Sequence, residues 1–334
     1  MSDRKAPVSV APRGATAGHL QWRAESLWQQ LEPHLPGLSI EVLASTESTN
    51  TLLLDRARLD SGRLDAPITT PGALEVMHSH GRKSGALDER SGPFGRRAGD
   101  TSPGLLVAEH QTMGRGRQGR TWLAQAGASL TFSLGLPMAP RDWSGLSLAV
   151  GVTLADALEP PEPGRIARLQ LKWPNDLWLV DGPGRGRKLG GVLIETVAVG
   201  RQRMVVVGVG LNISEVAPTR ELRSGFACLR ELDPAANPPA TLHRVALPMV
   251  KALQQFEREG FAGFATAYAR RDLLRGLRVG ARDTVDGSAV LEGTVEGVSS
   301  SGSLLLRVGP SLHLVSSGEV TVRMLDDKAG PDSA

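Results

Sequence analysis

Apolar residues recur along this chain with two different spacings, and the switches between them mark its elements. Leu20, Leu27 and Leu31, with Trp28, predict a short amphipathic helix ended by Pro33 and Pro36. Ile40 to Leu43 reads as a strand. Next comes Ser45-Thr46-Glu47-Ser48-Thr49-Asn50 before Leu52-Leu53-Leu54, the pattern of a helix N-cap. Leu105 to Glu109 is a continuous, buried strand, and Leu130 to Leu136 alternates as a half-buried one does. Leu146, Ala149, Val150, Leu154, Ala157 and Leu158 return to helical spacing until Pro160 and Pro161. Two alternating strands, 169–173 and 177–180, then flank a turn of Pro174, Asn175 and Asp176. A second turn, Asp181 to Arg187, leads into a strand from Lys188 to Glu195, and Met204 to Ile213 is another buried strand. Leu242, Val245, Ala246, Met249, Val250 and Leu253 share one face of a helix over 241–267, which Pro248 should kink. Beyond Val279 short strands (289–298, 304–308, 312–315, 320–322) alternate with glycine and serine turns and predict a small β-barrel, with a boundary near Leu274 to Gly280.

Residues 56–104 carry no sustained period, many glycines and prolines, and scattered arginines; they predict an inserted, mobile surface segment. Its His78 and His80 read as solvated loop residues. The expected organisation is therefore a partly disordered extension (1–39), a main α+β domain (40–273) with the flexible insertion 56–104, a C-terminal β domain (274–326) and a frayed tail (327–334).

Composition narrows the classes. Apolar residues are 40% of 334, enough for a large core, while aromatics are only 4%. A net charge of +3 suits phosphate-bearing ligands better than a broad nucleic-acid footprint, which needs clustered basic faces interleaved with aromatics. Cys228 is the single cysteine, so no internal disulfide can form and a reducing cytosol fits. No signal-peptide core and no apolar run of about 18 residues is present, so the expectation is a cytoplasmic protein with no membrane partner.

The densest chemistry is Gln111-Thr112-Met113-Gly114-Arg115-Gly116-Arg117-Gln118-Gly119-Arg120-Thr121-Trp122, between two strands. Glycine lets the backbone approach a ligand, and arginine offers a fork of donors to carboxylate or phosphate. Ordering each residue costs about 1–2 kcal/mol and each charge-assisted bond returns about 1.5–3 kcal/mol, so the segment reads as a mobile loop that closes on an anion. Arginine–glycine runs also enter DNA grooves, and that alternative stays open. Lys188, entering a strand, can neutralise an anion as a point charge or be an exposed strand-end charge. Asp176 is a turn-former, a magnesium ligand or a carboxylate that positions an amine. Gly190-Gly191 suggests close approach of something to the strand, and Gly208-Val209-Gly210 lacks the third glycine of a dinucleotide fingerprint. There is no nucleophile paired with a base and no zinc spacing. Many cations with one carboxylate favour stabilising developing negative charge, as when a carboxylate attacks the α-phosphorus of a nucleotide.

The motifs GRGRQGRTW, KWPNDLWL, RKLGGVLIE and VVVGVGLNI, preceded by STESTN and followed by a GEVTVR ending, closely resemble those of the bacterial biotin protein ligases, over residues 40–54 and 104–325. The resemblance implies a mixed sheet with helices on one side, related to class II aminoacyl-tRNA synthetases, plus an SH3-like C-terminal barrel. It implies ATP-dependent formation of biotinyl-5′-AMP, with Mg2+, and transfer to a lysine of the biotin carboxyl carrier protein. Ser48, Thr49, Asn50 and Gln111 then look like biotin-ring contacts. Arg115, Gly116 and Arg117 lie on the loop that would close over the biotin carboxylate and phosphate, and Lys188 resembles the lysine that holds the biotin carboxyl oxygen or the linking phosphate. Arg117, Arg120, Trp122, Asn175 and Asn212 take the adenylate side, and Asp176 assists by binding metal or orienting the amine. Lipoate attachment by a related ligase is the neighbouring alternative. Only residues 1–39, with one predicted helix, precede the ligase region, whereas a DNA-binding domain needs about three helices. The expectation is a monofunctional ligase without a repressor domain and without specific DNA binding; the family allows a homodimer.

Overall fold

The computed structural model describes residues 19–58, 73–78, 101–182, 185–216, 225–283, 291–316 and 320–324. The expectations for 1–18, for the tail and for His80 fall outside them. The order is α1 (Ala24–Leu31), β1 (Ser39–Thr46), α2 (Thr49–Arg58), β2 (Ala73–His78), β3 (Gly104–Gln111), β4 (Ser129–Pro137), α3 (Leu146–Leu158), β5 (Leu169–Lys172), β6 (Asp176–Gly182), β7 (Arg185–Val199) and β8 (Gln202–Asn212). Then follow α4 (Pro238–Glu259), α5 (Ala265–Ala269), β9 (Arg278–Asp283), β10 (Leu291–Val298), β11 (Leu304–Val308), β12 (Ser311–Val315) and β13 (Val320–Met324).

Eight strands form one sheet in the order β2-β1-β3-β4-β8-β7-β6-β5. It is mixed, because β1 and β3 run parallel while their other neighbours are antiparallel. Strand alternation decides which face is which. Ile40, Val42, Leu105, Val107, Leu130, Phe132, Val205, Val207 and Val209 join the large core under α1, α3 and α4. The residues between them face the other way. Leu43, Leu106 and Val206 form a small second cluster with Leu53 and Leu54 of α2. The helices are therefore not all on one side: α2 packs on the opposite face. There Glu41 of β1 takes both terminal nitrogens of Arg56, at 2.8 and 2.9 Å, and both residues are buried. Breaking such a pair by removing one partner costs about 3–5 kcal/mol, so it fixes the helix to the sheet.

Two further expectations are corrected. The stretch 56–104 is not wholly irregular: α2 runs to Arg58, and β2 pairs antiparallel with β1 at the sheet edge. Glu75 of β2 also accepts the backbone N–H of Trp22 (3.1 Å) and Ala24 (2.7 Å), holding the start of α1. The helix expected over 241–267 starts earlier and ends sooner. Asn237 caps it by accepting from Ala240 N at 3.0 Å, and prolines occupy its first turn, where no N–H is missed. It stops where Gly260 takes φ 65°, and a 3-10 turn leads to α5. Pro248 lies inside α4.

The C-terminal strands form an antiparallel sheet, β12-β11-β10-β9-β13. Its Val279, Ala281, Val295, Leu304, Leu306 and Val315 belong to the same core as the main sheet. The segment between α5 and β9 is tied to β5, and the sheet itself is tied to the turn after β5. Leu171 N donates to Arg271 O (2.7 Å) and Leu273 N to Leu171 O (3.0 Å). The Trp173 indole donates to Gly302 O at 3.0 Å, inside the protein. No helix among the described residues is long and apolar enough to cross a membrane.

Candidate functional site

The site lies on the α2 face of the sheet, where alternation replaces large apolar residues with small or polar ones. On β4 the residues between the core positions are Thr131, Ser133 and Gly135, and on β8 they are Val206, Gly208 and Gly210. Two of these glycines are needed for close approach. A Cβ on Gly208 would lie 2.2 Å from Asn50 Oδ1, and one on Gly210 would lie 2.5 Å from the Trp122 ring. The glycine pair that failed as a dinucleotide fingerprint is thus the floor of a pocket. Ser48, Thr49, Asn50, Gln111, Arg115, Trp122, Thr131 and Gly208 to Gly210 line it.

Several of its polar groups bond to one another. Gln111 Oε1, at the end of β3, accepts from the Thr49 N–H at 2.7 Å and from its hydroxyl at 3.1 Å. Ser133 Oγ lies 2.7 Å from Thr49 Oγ1 and 2.6 Å from Asn50 Oδ1. Asn50 Nδ2 donates to Glu195 Oε2 at 3.0 Å. Ser48 does cap α2, through a long 3.4 Å contact from Thr51 N, so the cap and the pocket are built from one segment. Ser48, Thr49, Asn50 and Gln111 are all buried.

The arginine segment is a folded hairpin. Arg115 bridges Thr121, Gly116 N donates to Arg120 O at 2.7 Å, and Trp122 N donates to Gly114 O at 2.8 Å. Residues 117–119 form a 3-10 turn in which Gln118 has φ 56°. The expectation of a loop ordered only by bonds to an anion overlooked these internal ones. Trp122 lays its ring on Gly210, and its indole N–H is buried with no acceptor.

Beside the pocket is a second, charged group. Lys188 Nζ donates to Asp176 Oδ1 at 2.6 Å. Asn175 donates to Val192 O at 2.7 Å and accepts from Arg117 Nη1 at 3.5 Å. Burial pushes the Arg117 pKa down, with nearby Asp176 opposing and Arg120 adding to the effect. A Cβ on Gly191 would lie 3.2 Å from Asp176 Oδ1 and 3.5 Å from Lys188 Nζ, so this glycine leaves room for the pair. Lys188 is therefore not a bare strand-end charge.

Arg115 lines the pocket, whereas Arg117, Asn175, Asp176 and Lys188 are linked to one another in the charged group, and Gly116 adjoins the hairpin's turn. Arg120 is exposed on the outer limb. Asn212 is buried behind, its amide donating to Ala227 O at 3.0 Å and Lys188 O at 3.4 Å. Among the described residues no three His, Cys, Asp or Glu side chains converge as a metal cage. Asp176 could offer one oxygen to Mg2+, which commonly takes one or two carboxylates and completes its shell with water and phosphate. Sequence reasoning missed Thr131, Ser133 and Glu195. The signal for each was a polar residue at the out-facing step of an otherwise apolar strand.

Residues 96–212 match the biotin/lipoate A/B protein ligase family. The chain is 35% identical over 223 residues to a biotin–[acetyl-CoA-carboxylase] ligase of Mycobacterium tuberculosis, covering 65% of this chain and 77% of the relative. It is 30% identical over 233 residues to the enzyme of that name from Paracoccus denitrificans, covering 66% of this chain and 92% of the relative. Its fold is similar to that of a biotin protein ligase from Aquifex aeolicus in complex with biotin and ATP, with TM-score 0.60 and 22% identity over 86% of this chain and 99% of the other.

Proposed function

This chain belongs to the biotin protein ligase family, and from that premise we propose that it joins biotin to a carrier protein in two steps. In the first, a biotin carboxylate oxygen attacks the α-phosphorus of ATP, giving biotinyl-5′-AMP and releasing pyrophosphate. In the second, a lysine amine of the biotin carboxyl carrier protein of acetyl-CoA carboxylase attacks the acyl carbon, forms the amide and releases AMP. The observation that supports this reading is a buried cluster of hydroxyls and amides lined by Arg115, on a hairpin whose Arg117 reaches the Asn175–Asp176 turn that holds Lys188.

The ureido ring of biotin would exchange hydrogen bonds with Ser48, Thr49, Asn50 and Gln111. Such a ring has donors and acceptors side by side, and an amide–hydroxyl cluster offers both. Arg115, Gly116, Arg117 and Lys188 would face the carboxylate and then the phosphate, where preformed positive charge stabilises the charge that builds up. The buried Trp122 N–H without an acceptor, with Arg120, Asn175 and Asn212, would take the nucleotide. Mg2+ would be shared between Asp176 and the phosphates and would offset their charge. An acceptor lysine has a pKa of about 10.4 and arrives mostly protonated, so Asp176 would also orient it and take its proton. The C-terminal sheet would be the SH3-like domain of the family, and the setting would be the cytoplasm.

The test is direct. The purified chain is incubated with ATP, magnesium chloride and an apo carrier domain, with either biotin or lipoate, and the carrier is weighed. A mass gain with biotin is expected; a gain with lipoate alone would overturn the reading.

A further inference from the structure

Glu195 is bonded to two parts of the site at once. It stands on β7 opposite Val206 of β8, so its backbone is held in the sheet on that side. Its Oε2 accepts from Asn50 Nδ2 at 3.0 Å, and its Oε1 accepts from Arg115 Nη2 at 3.0 Å, closing an ion pair. Asn50 belongs to the pocket, whereas Arg115 is the first cation of the hairpin. The other end of the Asn50 amide is fixed by Ser133 Oγ at 2.6 Å, so the amide cannot turn without breaking a bond at each end. Arg115 has a weaker second partner, Thr51 Oγ1 at 3.3 Å. The Arg115 side chain is 49% exposed and that of Glu195 21%, so the pair is reachable by solvent and can be exchanged.

We infer that Glu195 is a positioning residue that couples the pocket to the arginine hairpin. One carboxylate serves an amide that meets the ligand and a guanidinium that closes over it. A ligand that turns Asn50 disturbs the support of Arg115. A ligand anion that draws Arg115 away leaves Glu195 to Asn50 alone and tightens that bond. The inference takes only the identity of the ligand, biotin, from the ligase reading; the clamp itself consists of this chain's own contacts.

Amide hydrogen exchange on the full chain tests it. In Glu195→Gln, exchange of residues 113–122 without ligand should quicken about two- to fivefold, the range for losing a partly exposed ion pair, while β9 to β11 stay unchanged. Arg115→Gln should do at least as much, since it also gives up Thr51 Oγ1, and the double variant should match Arg115→Gln, because no ion pair is then left for Glu195→Gln to remove. Added biotin should protect the hairpin in the unaltered chain and do so less in Glu195→Gln, with Glu195→Asp, which keeps the charge, in between. Hairpin exchange equal to the unaltered chain in Glu195→Gln, or fully additive effects in the double variant, would overturn the clamp. If the unaltered chain binds no biotin, the ligase reading fails instead, and the ligand-free exchange still decides the clamp.

Discussion

The two halves of the site are made from different material. The pocket half is neutral: Thr49, Asn50, Gln111 and Ser133 are buried and hydrogen-bonded to one another, on the start of α2, the end of β3 and the middle of β4. The other half is ionic: Arg117, Asp176 and Lys188 sit on a hairpin, a turn and a strand start, with the Lys188 side chain 28% exposed. A neutral network can be complete before a ligand arrives and exchange its partners one for one. Paired cations keep donors in reserve, since a lysine has three N–H groups and an arginine five, and can meet an incoming anion without giving up a partner. The first half is thus suited to selecting a substrate, the second to stabilising charge that exists only while bonds change.

That division can be broken first at Lys188. Lys188→Ala should lower the adenylation rate about 10²–10³-fold, as loss of a preorganised charge donor does, and shift biotin affinity by less than about threefold; stopped-flow and calorimetry give the two numbers. Similar losses in both would merge the halves. Gly208→Ala is the converse. The new methyl meets Asn50 Oδ1, so biotin affinity should fall about 10- to 100-fold, the cost of unmaking a buried polar contact, while the rate at saturating biotin changes little.

A third effect is smaller and lies away from both halves, on a charge without an ionic clamp. Burial raises the Asp272 pKa to about 6, and its Oδ2 has no hydrogen-bond partner. The folded value exceeds the unfolded one of about 3.9, so the native state holds the extra proton. Stability from this group is full below about pH 4 and is lost as pH rises through about 6. Asp272→Asn, which keeps an acceptor for Leu274 N, should raise stability by about 2 kcal/mol at pH 8 and by almost nothing at pH 4 in urea melts. Least of all, Arg120→Ala should change the transfer rate at saturating ATP by under about threefold and show instead in the KM for ATP, because this exposed arginine would meet the nucleotide and not the reacting atoms. A larger loss would move Arg120 into the ionic half.

Much of this was legible in the chain. LTFSLGL and MVVVGVGL already separate a core face from a small, polar one, and that alternation is what places the pocket. Asn237 followed by two prolines was a legible helix start that periodicity alone passed over. Strand order was not legible, because pairing β1 with β3 and β4 with β8 depends on contacts distant in sequence. β2 was hidden for a related reason: a six-residue strand amid glycines and prolines carries too few periods to stand out. Glu195 was visible only as an odd charge in an apolar run, and its meaning needed two partners that local sequence does not bring near.

The bond from Trp173 to Gly302 has a practical consequence for anyone trimming this chain. Excising everything after α5 would strip the tryptophan next to Pro174, Asn175 and Asp176 of its acceptor and uncover its ring to water. A shortened enzyme would then fail at the KWPND turn itself, far from the cut, unless that tryptophan were redesigned along with it.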